Sequence, residues 1–143
     1  ILRHTDGQPV LVDFGLAGRK IRPGCATLCY GAPEIWTDAG AVASPATAAD
    51  VYALGCFAYE LLTGLTLFDG NSETGIIAAH LKHDGLPPAV ADMAKNKLLQ
   101  PLAMLLFQCL RRDPRERSQT ATLRREFRQL VPMLAGHSWP LRA

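Results

Sequence analysis

A few carboxylates, one hydroxyl and one arginine stand where this chain could do chemistry. Asp13 follows the apolar run Val10-Leu-Val12, which puts a carboxylate at the end of a strand-like stretch facing a cleft. A single carboxylate, completed by phosphate oxygens and waters, is how Mg²⁺ is usually held beside a nucleotide. The plain alternative for Asp13 is an Asp-initiated turn. Thr27 lies in residues 13–30, a glycine-rich and basic stretch of no sustained period that reads as a long functional loop. Arg117 carries a planar guanidinium, suited to gripping a carboxylate with two parallel bonds. His80-x-x-His83 could begin a metal site on a helix, but no further ligands join it, and a surface pair is expected. Cys25-x-x-x-Cys29 lacks a second pair of ligands, so no zinc is expected there. Arg111, Arg112, Arg115, Arg117, Arg124, Arg125 and Arg128 make a basic stretch. Asp113, Glu116 and Glu126 interleave with them and no aromatics alternate for base stacking. A solvated, salt-bridged face is expected, not a nucleic-acid surface.

Something must hold these groups in place. Residues 50–62 are almost all apolar or small, with Asp50 at the start and Glu60 as the lone glutamate. A helix apolar on every face belongs in a core or a membrane, and this one is too short and too interrupted to span a bilayer. It is expected to be a central core helix. Thr47-Ala-Ala-Asp50 has the form of a capping box, and Gly64 closes the helix. Upstream, Asp6-Gly7 between two short β-type runs signals a hairpin with Pro9 opening the returning strand. Pro33 fits the first position of a short helix. A helix starting near Asn71 carries Ile76, Ile77, His80 and Leu81 on one side, and Pro87-Pro88 breaks the chain after it. Residues 99–110 read as a strongly apolar helix. Residues 120–134 read as an amphipathic one with Leu123, Phe127, Leu130, Val131 and Leu134 inward.

Composition sets the outer limits. With 143 residues, 48% hydrophobic and 20% charged, the chain supports one core of normal size. A net charge of +2 argues for neither nucleic acid nor membrane as partner. Cys25, Cys29, Cys56 and Cys109 show no disulfide spacing, and no signal peptide or membrane-length apolar run is present. A reducing, cytoplasmic setting is expected. The chain opens with Ile1 on a hairpin strand, as a piece cut from a longer protein would.

Asp13-Phe14-Gly15 after a strand, Ala32-Pro33-Glu34 after a loop, Asp50-Val-Tyr-Ala-Leu-Gly55 opening the core helix, and Cys109-Leu-Arg-Arg-Asp-Pro-Arg-Glu-Arg117 follow one another at characteristic separations. Together they closely resemble the C-terminal lobe of eukaryotic-like protein serine/threonine kinases, with wording closer to the bacterial ones. The resemblance covers residues 1–134 and leaves 135–143 as a tail. It implies an α+β, predominantly helical fold: a β-hairpin, an activation segment, the core helix and about three further helices, with the N-lobe supplied in cis from elsewhere.

The same resemblance assigns roles. Asp13 would ligate the Mg²⁺ that bridges to ATP, Phe14 would pack as part of an activity switch, and Gly15 would give that switch backbone freedom. Thr27 would lie beside the phosphoacceptor and contact the catalytic aspartate, favouring serine and threonine over tyrosine in protein substrates. Ala26 stands where the family usually has glycine, and Ser118 where it has proline after the arginine. Glu34 and Arg117 would form a buried ion pair, and Asp50 would accept backbone N–H groups of the catalytic loop. Residues 16–31 contain no serine and only Thr27 as threonine, so no phosphorylation switch other than Thr27 or Tyr30 is expected there. The glycine-rich loop, the lysine–glutamate pair and the His-Arg-Asp loop are not in this sequence. Residues 1–143 alone are therefore expected to transfer no phosphate. The rival expectation is a pseudokinase scaffold, against which the intact Asp13-Phe-Gly speaks.

Overall fold

The computed structural model describes residues 2–3, 5–12, 27–37, 47–136, 138 and 140. Strands β1 (Leu2–Arg3) and β2 (Pro9–Val10) pair antiparallel, Leu2 opposite Val10 and Arg3 opposite Pro9. Gly7 takes a φ of 84° in the turn, and Asp6 Oδ1 accepts the Gln8 amide at 2.9 Å, so the Asp-Gly pair makes the hairpin.

Helix α1 (Ala48–Thr63) is the element on which the others converge. Its closing is as the sequence predicts: Gly64 is left-handed at φ 74°, and its amide donates to Glu60 O at 2.7 Å. Its opening is not. Thr47 has a helical backbone and its side chain makes no cap bond, because a capping hydroxyl reaches the N3 amide only from an extended residue. The expected capping box is absent. The helix is also not buried all round: Tyr52 and Cys56 are sealed in, whereas Leu54 and Leu61 are 39% and 63% exposed.

After α2 (Glu73–Lys82), Pro87 and Pro88 do more than break the chain. Pro88 is the first residue of α3 (Pro88–Lys95), a helix not expected from the sequence. Proline at a first helical position sacrifices no hydrogen bond, and Val90 and Met93 give α3 a buried face. The described residues thus hold α1 and four further α-helices rather than about three. Helix α4 (Gln100–Cys109) buries Leu102, Leu105, Leu106 and Cys109 between α1, α3 and α5 (Thr120–Leu134). A Cβ on Gly55 would sit 2.8 Å from Cys109 Cβ, so hydrogen is the only side chain that lets α1 and α4 approach this closely. On α5 the inward stripe is Leu123, Phe127, Leu130 and Leu134; Val131, expected inward, is 59% exposed. The stripe is one residue narrower than its hydrophobicity suggested. Among the described residues no helix is long and apolar enough to cross a membrane.

Candidate functional site

Residues 27–37 form two short 3-10 turns laid over α1 and α2. In the first, Leu28–Tyr30, the Tyr30 amide donates to Thr27 O at 3.0 Å. In the second, Pro33–Ile35, proline occupies the first position and the Ile35 amide donates to Ala32 O at 2.9 Å. The Trp36 indole N–H returns to Gly31 O at 3.0 Å and closes the segment on itself. Ala32 and Ile35 are buried in the core cluster that contains Tyr52, with Tyr30 packed against it, and side-chain polar bonds fasten the segment as well.

The strongest fastening joins Glu34 to Arg117, 83 residues apart. Both guanidinium NH groups donate to the carboxylate at 2.7 Å. The remaining donors go to backbone carbonyls: Nε to Arg111 O at 2.8 Å, Nη1 to Ala48 O at 2.8 Å and Nη2 to Arg112 O at 3.2 Å. All five N–H bonds of Arg117 are therefore used, which is what a buried guanidinium requires. Its plane also lies 5.0 Å above the centre of the Tyr52 ring. One side chain so ties the Pro33–Ile35 turn, the first residue of α1 and the loop after α4.

A second fastening was not foreseen. The Tyr30 hydroxyl donates to the Glu60 carboxylate on the last turn of α1. This bond to an anion, with burial second, pushes the Tyr30 phenol up to about 12. It also gives the lone glutamate of the core helix its partner. The third fastening corrects the expected surface pair at His80 and His83. His80 is fully buried and His83 half-buried, and both rings bond the Tyr52 hydroxyl, at 2.9 and 3.0 Å. His80 Nε2 lies 3.1 Å from Leu28 O, inside the first turn of the segment. The clue was present in the sequence: His80 shares a helix face with Ile76, four residues earlier, and Ile76 is buried.

The other expected residues fall as follows. Asp13, Phe14 and Gly15 lie outside the described residues, as does Cys25. Thr27 is exposed at the head of the first turn, and Asp50 is exposed on the first turn of α1. Cys56 and Cys109 are free and buried, and burial pushes the Cys109 thiol up to about 12. The basic stretch divides in two. Arg111 pairs with Asp84 and Glu116, Arg115 with Asp113, and Arg117 with Glu34. Arg124, Arg125 and Arg128 on α5 are exposed with no carboxylate partner among the described residues, so the salt-bridged face ends before that helix. Among the described residues no three His, Cys, Asp or Glu side chains converge to hold a metal ion.

A family model described as "Protein kinase domain" matches residues 1–127. The chain is 31% identical to serine/threonine-protein kinase PkaA of Streptomyces coelicolor over 96% of its own length and 25% of the relative's. It is 34% identical to serine/threonine-protein kinase PkaB of the same organism, over 89% of the chain and 30% of the relative. Serine/threonine-protein kinase C of Synechocystis is 32% identical over 95% of the chain and 26% of the relative. The chain thus spans between a quarter and a third of the length of these curated relatives.

Proposed function

This chain belongs to the protein kinase family, and we propose that its residues build the helical C-terminal lobe of a serine/threonine kinase that moves the γ-phosphate of ATP to protein hydroxyls. In this reading residues 27–34 are the platform on which a protein substrate docks. Thr27, exposed at its head, reaches the phosphoacceptor and the catalytic aspartate of an upstream loop. Asp50, exposed at the mouth of α1, accepts backbone amides of that loop. The observation that carries the reading is the buried, fully bonded Glu34–Arg117 pair. Fixing a turn to the helical body from 83 residues away makes sense for a turn whose position has to be kept.

The donor set suits Mg²⁺ held mostly by phosphate oxygens and water. Asp13 offers one carboxylate, and the described residues offer no protein cage for a metal. Asp13 would hold the ion with Phe14 and Gly15 around it, and the ion would neutralise charge on the ATP phosphates. The remaining work of this chain is binding and orientation: residues 27–34 fix the acceptor hydroxyl, and α1 fixes residues 27–34. The buried free thiols agree with a reducing, cytoplasmic setting for this domain.

Radiolabelled ATP and matched serine, threonine and tyrosine peptides test this in the full-length protein. Labelling of serine and threonine but not tyrosine, lost on Asp13→Asn, is the expected result. Absence of transfer by the wild-type protein at saturating Mg²⁺ would make it a pseudokinase scaffold. Residues 1–143 alone should transfer none.

A further inference from the structure

The third fastening of the segment contains more than a contact. A carbonyl can only accept a hydrogen bond and a backbone amide can only donate one, and one of each closes the two ends of the Tyr52–His80–His83 cluster. At one end Leu28 O lies 3.1 Å from His80 Nε2; at the other the Gly85 amide lies 3.1 Å from His83 Nδ1. The partners therefore assign every proton between them. His80 carries its proton on Nε2 and accepts the Tyr52 hydroxyl at Nδ1. The Tyr52 oxygen accepts from His83 Nε2–H, and His83 Nδ1 accepts from Gly85. Four hydrogen bonds run in one sense from the loop after α2 to the Leu28 carbonyl. With neutral rings no other arrangement satisfies all four.

The surroundings enforce neutrality. Phe68 stands edge-on to His80 at 4.6 Å between ring centres and 5.2 Å from His83, covering part of the cluster. The charged groups that face it are Arg117 over Tyr52, paired with Glu34, and Asp84 and Arg112 beside His83; Cys56 adjoins Tyr52. Burial is the main cause that lowers both imidazoles to about 4. A proton added at His80 Nδ1 would oppose the Tyr52 hydroxyl, and one added at His83 Nδ1 would oppose the Gly85 amide. Either breaks the series.

We propose that His80 is a positioning residue for substrate docking: its Nε2–H fixes the Leu28 carbonyl and with it the turn that carries Thr27, while Tyr52 and His83 hold His80 in the required tautomer. The inference rests on reading residues 27–34 as the docking platform. Neither histidine touches substrate. Their effect passes through one backbone carbonyl.

Two variants of the full-length protein separate this from simple packing. His80→Gln places an amide donor near the former Nε2 position and so keeps the bond to Leu28. His80→Asn places its amide near Nδ1 and loses that bond. Peptide KM should stay close to wild type in His80→Gln and rise about tenfold in His80→Asn, the loss of one hydrogen bond. The KM for ATP should not move in either. Equal peptide KM in the two variants, or a change confined to ATP, overturns the proposal. Thr27→Ala, measured alongside, tells the two failures apart. If it leaves peptide phosphorylation unchanged, the docking reading fails and His80's role with it. If it impairs phosphorylation while His80→Asn does not raise peptide KM, only His80's role falls. Should His80→Asn not fold, imidazole ¹⁵N spectra of the wild-type protein decide. Both rings should be Nε2–H from about pH 7 to about pH 5, and an Nδ1–H tautomer on either overturns the proposal.

Discussion

Helix α4 and residues 27–37 are both held against α1, with different shares of apolar and polar contact. Helix α4 is held by apolar area: Leu102 and Leu106 are fully buried, and Gly55 lets the helices close to contact. The 27–37 segment buries Ala32 and Ile35 and adds long-range hydrogen bonds: Glu34 accepts from Arg117, the Leu28 carbonyl accepts from His80, and the Tyr30 hydroxyl donates to Glu60. Apolar burial is non-directional and contributes most of the stability. Hydrogen bonds contribute less net free energy each but are directional, so they define where a turn sits. The molecule keeps its body together with the first and adds the second where its candidate site is placed.

The comparison can be broken most sharply at Arg117. Arg117→Ala strands the buried Glu34 carboxylate and should cost about 3–5 kcal/mol in a urea titration. Replacing both partners with apolar residues of similar volume should cost less than either single change, because no charge is left alone. Leu106→Ala, in the apolar region, should cost about 2–5 kcal/mol by the same measurement. Unlike Arg117→Ala, it should leave peptide KM unchanged in the fraction that remains folded.

Acid sharpens the contrast, since only the polar region titrates. Burial lowers the His80 and His83 pKa from 6.5 to about 4, so the unfolded chain takes up the protons first. Stability should be complete above about pH 6.5 and fall progressively toward about pH 4. Urea midpoints measured through that range should drop in wild type more than in a variant with both histidines replaced by glutamine. The smallest effect expected is at the edge of α2, where Ser72 Oγ accepts the Gly75 amide at 3.1 Å. Ser72→Ala should cost about 1 kcal/mol by thermal melting, with no change in peptide KM.

The body of the fold was legible because periodicity reports burial. Residues 99–110, the inward face of α5 and the Gly64 stop are local patterns that tertiary context left in place. Helix α3 was hidden by Pro87-Pro88, a pair that reads equally as a break and as a start. Thr47 fails as a cap because backbone angles, not residue type, decide that role. The candidate site was legible only where two residues fit a family pattern, as Glu34 and Arg117 do. The Tyr30–Glu60 bond and the Tyr52–His80–His83 series join residues about 30 positions apart that no local spacing relates. Their partners follow from how α1 and α2 pack. Asp13, Phe14 and Gly15 rest on the sequence alone.

Hydrogen exchange of the full-length protein bears most directly on the division between polar and apolar attachment. In Glu34→Gln, amides of residues 28–36 should exchange faster than in wild type while those of α4 keep their protection. Unchanged exchange in residues 28–36, or loss of protection in α4 to the same extent, would contradict the account.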